Sequence, residues 1–298
     1  MKRKRMITVG TFDGMHLGHR ALFTHLEQMA LRYQLKPLVL YFPYPAKTLL
    51  SPAPAMTVLS TPPEKKRLLK EIACGIECQE LNFQIYREFL PEHFFRKVLV
   101  EKYHCGGILA GPDFTFGKNR QGNAALLKQR CAQLGLPCEI MPFYQAPDGA
   151  KISSSLIRKI MAEGNIAQAN NLLGYVYSAQ GRVMKGHQLG RKLGYPTANL
   201  DINYYKLLPL GVYAVRVRLG RSWYKGICNI GYRPTVNTIT APVPLTEVHI
   251  LNFNQSIYGR RMEIQFIGKI RGEVKFDSLD ELKAQLAQDK QAAQSISF

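Results

Sequence analysis

Residues 9–23 read VGTFDGMHLGHRALF, and this stretch decides the fold. It follows the short apolar run MITV (6–9) and leads into a stretch where Leu22, Leu26 and Met29 recur on one helical face. A short apolar strand passing through a glycine-bearing loop into an amphipathic helix is the opening of a parallel β-α-β unit. In such sheets ligands sit at the carboxyl ends of the strands, where loops meet helix N-termini. Residues 10–19 form that loop: Gly10 ends the strand, Gly14 permits a tight turn, and Gly18 lets a ligand approach the backbone. A helix N-terminus offers free N–H groups and partial positive charge to a phosphate. His16 and His19 add two imidazoles that can donate to phosphate oxygens as charge develops. The competing reading is a local cap at His16 and a surface residue at His19.

Outward from this loop the alternation continues. PLVLYF, a proline-started helix from Pro63, QELNF, a second from Pro91, GGILAG, a helix near 122–134 and CEIMPF follow in turn. Strand alternating with helix predicts a doubly wound parallel sheet. Two helical stretches, 153–163 and 166–173, close this half, with Gly164 and Gly174 as stops. After Ser178 the period becomes two: AQGRVM, GVYAVRVRL, SWYKGICNIG, TEVHILNF and RMEIQFIGKI are parted by turn residues. A last helix opens on the capping box Ser278–Glu281. The expected fold is α/β: a doubly wound domain over 1–178, then a small antiparallel β-barrel with a terminal helix over 179–298.

The composition narrows the function. The net charge of +19 attracts polyanions: nucleic acid, an anionic membrane surface or a small polyphosphate. Only KRKR (2–5) forms a basic run, and no zipper, zinc-finger spacing or aromatic-basic RNA signature accompanies it. The six cysteines include no CxxC pair, so no disulfide framework or zinc site is indicated, and Cys74 and Cys78 are expected as core-facing thiols. No apolar stretch approaches the ~20 residues of a membrane span, which places the chain in the cytoplasm without a membrane or nucleic-acid partner.

The ordered motifs carry a resemblance. GTFDGMHLGH, GPDFTFGKNRQG (111–122) and ISSSLIR (152–158) in the first half precede a second set. That set is GRKLGYPTANL (190–200), GVYAV (211–215), NIGYRPTV (229–236), TEVHIL (246–251), YGRRMEIQF (258–266) and FDSLDELKAQLAQD (276–289). Together they resemble the prokaryotic bifunctional riboflavin kinase/FAD synthetase family, and the first segment resembles the HxGH signature of nucleotidylyltransferases. The resemblance implies FMN adenylylation in the first half: the FMN phosphate attacks the α-phosphorus of ATP, giving FAD and pyrophosphate. His16, His19 and Arg158 would act on the phosphates, with Gly10, Phe12, Asp13, Gly18 and Ser154 lining the ATP site. Asp113, Phe114 and Phe116 would contact flavin or ribose. Tyr44 stands in FPYPAK where the family commonly has a histidine, and a tyrosine cannot become cationic.

The second half then implies phosphorylation of riboflavin by ATP, giving FMN and ADP, without a P-loop, since no GxxxxGK[ST] occurs. Gly186, Gly190 and Gly194 would form a flap over the phosphates, and Thr197 and Asn199 would supply oxygens to Mg²⁺-ATP. Glu247 would be the base that takes the ribityl hydroxyl proton. Two further readings compete: a kinase with a degenerate first half, supported by Tyr44, and a basic nucleic-acid binder.

Overall fold

The computed structural model describes residues 4–50, 57–147, 149–186, 190, 194–232 and 244–296. The outer parts of the basic start, the middle of the 185–194 flap and the RPTV segment (233–236) lie outside the described residues. Two compact units emerge, Met1–Ser154 and Ser155–Phe298.

In the first unit, β1 (Arg5–Gly10), β2 (Lys36–Tyr41), β3 (Glu77–Glu80), β4 (Cys105–Ala110) and β7 (Cys138–Ile140) form one sheet in the order β3-β2-β1-β4-β7. Every pairing in it is parallel. A short hairpin, β5 (Thr115–Phe116) with β6 (Gly122–Asn123), stands apart. The first-helix pattern becomes Leu17–Arg32, which buries Phe23, Leu26, Met29 and Ala30. Each large side chain so buried contributes about 1.5–3 kcal/mol. The Pro63 signal belongs to helix Pro62–Ile72, held at its start by a reciprocal cap between Thr61 and Glu64. That helix ends before Cys74, which is exposed, while Cys78 is half-buried on β3. The expected pair of core thiols is therefore not formed.

In the second unit, helices Ser154–Ala162 and Ile166–Leu173 are followed by six strands. These are β8 (Ser178–Met184), β9 (Ala198–Ile202), β10 (Gly211–Leu219), β11 (Ser222–Gly231), β12 (Leu245–Ile250) and β13 (Arg261–Arg271). They close as an antiparallel barrel in the order β10-β11-β12-β9-β8-β13. The strand absent from the sequence reading is β9, which hides inside PTANLDI; its Ala198 and Leu200 are buried. Helix Ile166–Leu173 belongs to this unit: the Asn170 side chain donates to Phe266 O (3.0 Å) and accepts from Tyr177 N (2.8 Å). The capping box forms, with Glu281 N donating to Ser278 Oγ. The terminal helix Leu279–Ser295 is anchored by Arg271 and the buried Asp289, paired at 2.9 Å.

Candidate active sites

The loop after β1 lies at the carboxyl end of the central strand of the parallel sheet. His16 is the N-cap of helix Leu17–Arg32, and its carbonyl accepts from His19 N at 2.8 Å. The two rings stack at 3.7 Å between centroids, 20° from parallel. Gly18 is what admits this: a Cβ there would lie 3.2 Å from the His16 ring. Phe12 is buried, contacts the His19 ring edge-on at 5.3 Å, and packs on Phe23. Its φ of 46° and that of Met15, 43°, show that the loop holds two side-chain-bearing residues in the left-handed region. Gly10 accommodates Phe12, whose ring would meet a Cβ at 2.7 Å.

His19 Nδ1 is buried and has no hydrogen-bond partner among the described residues. Burial, then the neighbouring His16 and then Lys65, push its pKa well below the usual histidine value. The ring is thus neutral near pH 7, with a desolvated nitrogen available at a helix start.

The Asp13 carboxylate faces the segment before helix Pro62–Ile72. Its carboxylate accepts from Leu59 N and Ser60 N, each at 3.0 Å, and from Ser60 Oγ at 3.3 Å. Ser60 Oγ in turn accepts from Gly14 N at 3.1 Å. The loop is therefore stitched to the segment before helix Pro62–Ile72. Ser154 Oγ, at the end of the first unit, donates to Asp13 O at 2.8 Å. Arg158 lies on helix Ser154–Ala162, in the second unit.

The flavin-side candidates divide. Asp113 is exposed and pairs with Lys151 at 3.0 Å. Phe116 is a buried member of the hydrophobic core, against which Phe114 also packs. Phe114 stacks on it at 5.5 Å and stays half-buried. Tyr44 is half-buried just beyond β2.

In the barrel, strand register does the assembling. Glu247 on β12 stands opposite Asn199 on β9 and opposite Asn229 on β11. Residues directly opposite share a face. The neighbouring rung, Ala198, Val248 and Cys228, is buried, so the Asn199–Glu247–Asn229 rung faces outward. A Cβ on Gly186 would run into the Asn199 side chain, and one on Gly190 would meet Tyr195 O and lie 3.4 Å from Thr197 Oγ1. Gly194 has φ 85°. A cavity of about 580 Å³ adjoins, lined in part by Gly186, Asn199, Asp201, Tyr204 and Lys206. His249, two residues from Glu247, bonds Pro196 O through Nδ1 at 2.9 Å. Sequence reasoning singles out neither Ser60, Lys65 nor Asn229. Asn229 was within a quoted motif, and only the register shows its neighbour.

Comparison with known proteins agrees across both units. A family model described as FAD synthetase matches residues 1–156, and one described as riboflavin kinase matches residues 173–297. The bifunctional riboflavin kinase/FMN adenylyltransferase of Haemophilus influenzae is 36% identical over 291 residues, covering 97% of this chain and 93% of the relative. The protein of the same name from Escherichia coli K12 is 35% identical, with 98% and 92% covered. That from Bacillus subtilis is 32% identical, with 97% and 92% covered. A crystal structure described as a macrolide-efflux protein from Streptococcus pneumoniae superposes with a TM-score of 0.85 at 32% identity, covering 100% of this chain and 96% of that one. No helix among the described residues is long and apolar enough to cross a membrane.

Proposed function

The chain belongs to the family of bifunctional riboflavin kinase/FMN adenylyltransferases and carries both activities, and we propose that its two units divide the chemistry as follows. The first unit transfers AMP from ATP to FMN, releasing FAD and pyrophosphate. The attacking FMN phosphate is already an anion, so the protein needs no strong base and works by positioning and charge stabilisation. His16 and His19 donate to the ATP phosphates at the helix start, and Arg158 supplies a guanidinium fork to the same triphosphate. The remaining candidates line the site, with Gly10, Phe12, Gly14 and Gly18 shaping the histidine loop and Asp13 and Ser154 bracing it. Phe114 and Asp113 are the flavin-side contacts, with Phe116 supporting Phe114 from the core.

The second unit transfers the γ-phosphoryl group of ATP to riboflavin, giving FMN and ADP. Here the nucleophile is an alcohol, so removing its proton helps, and the outward-facing Glu247 carboxylate is the base. Thr197 and Asn199 fit a magnesium ion: both offer hard neutral oxygens, and both lie under glycines whose missing Cβ atoms leave a cradle. No cluster of three His, Cys, Asp or Glu side chains occurs among the described residues, so the nucleotide phosphates would complete the coordination. When bound, magnesium offsets phosphate charge; Gly186, Gly190 and Gly194 let the backbone close on the nucleotide.

The observation that carries the reading of the first unit is the stacked histidine pair at the helix start, with the buried His19 nitrogen. Incubation with riboflavin and Mg²⁺-ATP should yield FMN and then FAD. His19→Ala or Arg158→Ala should abolish FAD formation from supplied FMN while riboflavin phosphorylation continues. FMN without FAD from the unaltered protein would instead favour the kinase-only reading that Tyr44 suggests. Salt-steep, sequence-independent binding of random duplex would be the mark of the nucleic-acid reading.

A further inference from the structure

Lys65 stands where elementary electrostatics would not put a cation. It is completely buried, near the start of helix Pro62–Ile72, on the stripe that also buries Leu68 and Leu69. Helix dipoles concentrate positive charge at that end. A buried ammonium is strongly unfavourable unless each N–H finds an acceptor. Here it has three: Thr11 O at 2.6 Å, Pro43 O at 2.8 Å and Phe42 O at 3.0 Å. Thr11 directly follows β1, and Phe42 and Pro43 directly follow β2. One nitrogen therefore ties together the carboxyl ends of two adjacent parallel strands, where the histidine loop departs. An aliphatic side chain would fill the same stripe at no electrostatic cost, so core packing alone does not account for the lysine.

We propose that Lys65 is a positioning residue for adenylyl transfer: its ammonium pins the loops after β1 and β2 and sets a fixed positive charge beside the His16–His19 pair. This rests on the adenylyltransferase reading of the first unit. The charge has a second consequence, because Lys65 is one of the groups that hold His19 neutral. Of the titratable groups, His16 stacks on His19 and acts on it together with Lys65, while Tyr144 lies beside the neighbouring Gly18, its Cβ 3.4 Å from where a side chain there would begin. The Asp13 carboxylate is turned to Leu59 and Ser60. A neutral imidazole can give one nitrogen to a phosphate, with the fixed charge supplied by Lys65.

The test uses the full chain and two readouts, FAD formation from FMN and the NMR titration of the His19 ring in free protein. Lys65→Met should lower kcat for FAD formation about 10²-fold, as misplaced reacting groups do, with a smaller change in KM for ATP. It should also raise the His19 midpoint, which burial and His16 still hold below the usual histidine value. Lys65→Arg, which keeps the charge, should leave the midpoint low. Should Lys65→Met not fold, Lys65→Gln, neutral but still a donor, carries the same two readouts. Wild-type kcat together with an unmoved His19 midpoint in the neutral variant would overturn the inference. Absence of FAD from the unaltered protein would overturn the underlying reading instead, leaving the His19 titration to judge Lys65.

Discussion

Asp13→Ala separates bracing from ligand binding in the histidine loop. Wild-type Asp13 is 3% exposed, and its carboxylate accepts from two backbone N–H groups, those of Leu59 and Ser60, at 3.0 Å, both residues being buried as well. Removing the acceptor takes the carboxylate away from two buried donors, at about 1–3 kcal/mol each, or about 2–6 kcal/mol together. For a unit of this size a loss of 1 kcal/mol lowers Tm by roughly 2–4 °C, so a drop on the order of 10 °C is expected in the transition of the first unit. Asp13→Asn keeps one acceptor but turns an NH₂ towards the other donor, and should recover only part of the loss. Hydrogen exchange gives the sharper assay: the Leu59 and Ser60 amides should lose protection in Asp13→Ala, and the barrel amides should keep theirs. Wild-type melting and wild-type protection, combined with lost FAD synthesis, would refute the bracing role and return Asp13 to direct contact with substrate.

Three other outcomes are expected. Glu247→Gln should cut riboflavin kinase turnover by ~10²–10⁴-fold with ATP affinity nearly intact, whereas Thr197→Ala or Asn199→Ala should weaken Mg²⁺-ATP binding; near-normal turnover in Glu247→Gln would exclude the carboxylate as base. Burial lowers the pKa of His19, helped by His16 and Lys65, and burial also lowers that of His249, with Lys290 acting in the same direction. The unfolded chain then binds more protons than the native one below about pH 6.5, so stability is complete above that pH and is lost as pH falls through the window down to the depressed native values; denaturant midpoints that stay flat between about pH 7 and 5.5 would contradict this. Finally, a fragment of residues 155–298 should be a more stable riboflavin kinase than one of residues 179–298, because the shorter piece loses the Asn170 bonds and the buried Leu173; equal melting temperatures would show that the two helices add nothing to the barrel.

The architecture was legible where local pattern and tertiary environment agree. Continuous apolar runs between amphipathic helices identify strands covered on both faces, and β1, β2 and β4 follow that rule. What escaped was β9, because Pro196, Thr197 and Asn199 carry turn chemistry that outweighs the weak alternation of Ala198, Leu200 and Ile202. Its partners, β8 and β12, impose the extended backbone. Phe114 and Phe116 show the same limit at the level of a side chain. Two residues apart and identical in type, they meet the same core to different depths, Phe116 of the hairpin buried in it and Phe114 packed half-buried against it.

The polar residues follow a stricter logic. His16 and His19 are three apart on one helix start, so their proximity is written locally. The Asp13 role is not, since its acceptor sites are taken by amides 46 and 47 residues away. Glu247 meets Asn199 and Asn229 only through the register of three strands, and no spacing within TEVHIL announces either. Lys65 sits between these cases. In PPEKKRLLK it differs from Lys66 by a single step, yet the helical period puts Lys65 in phase with Leu68 and Leu69 and leaves Lys66 exposed. A cation in phase with an apolar stripe has to find acceptors inside the protein. The carbonyls that end adjacent parallel strands supply them at the edge of a ligand site, so a buried lysine in that phase is a signal of function that helical periodicity alone could have raised.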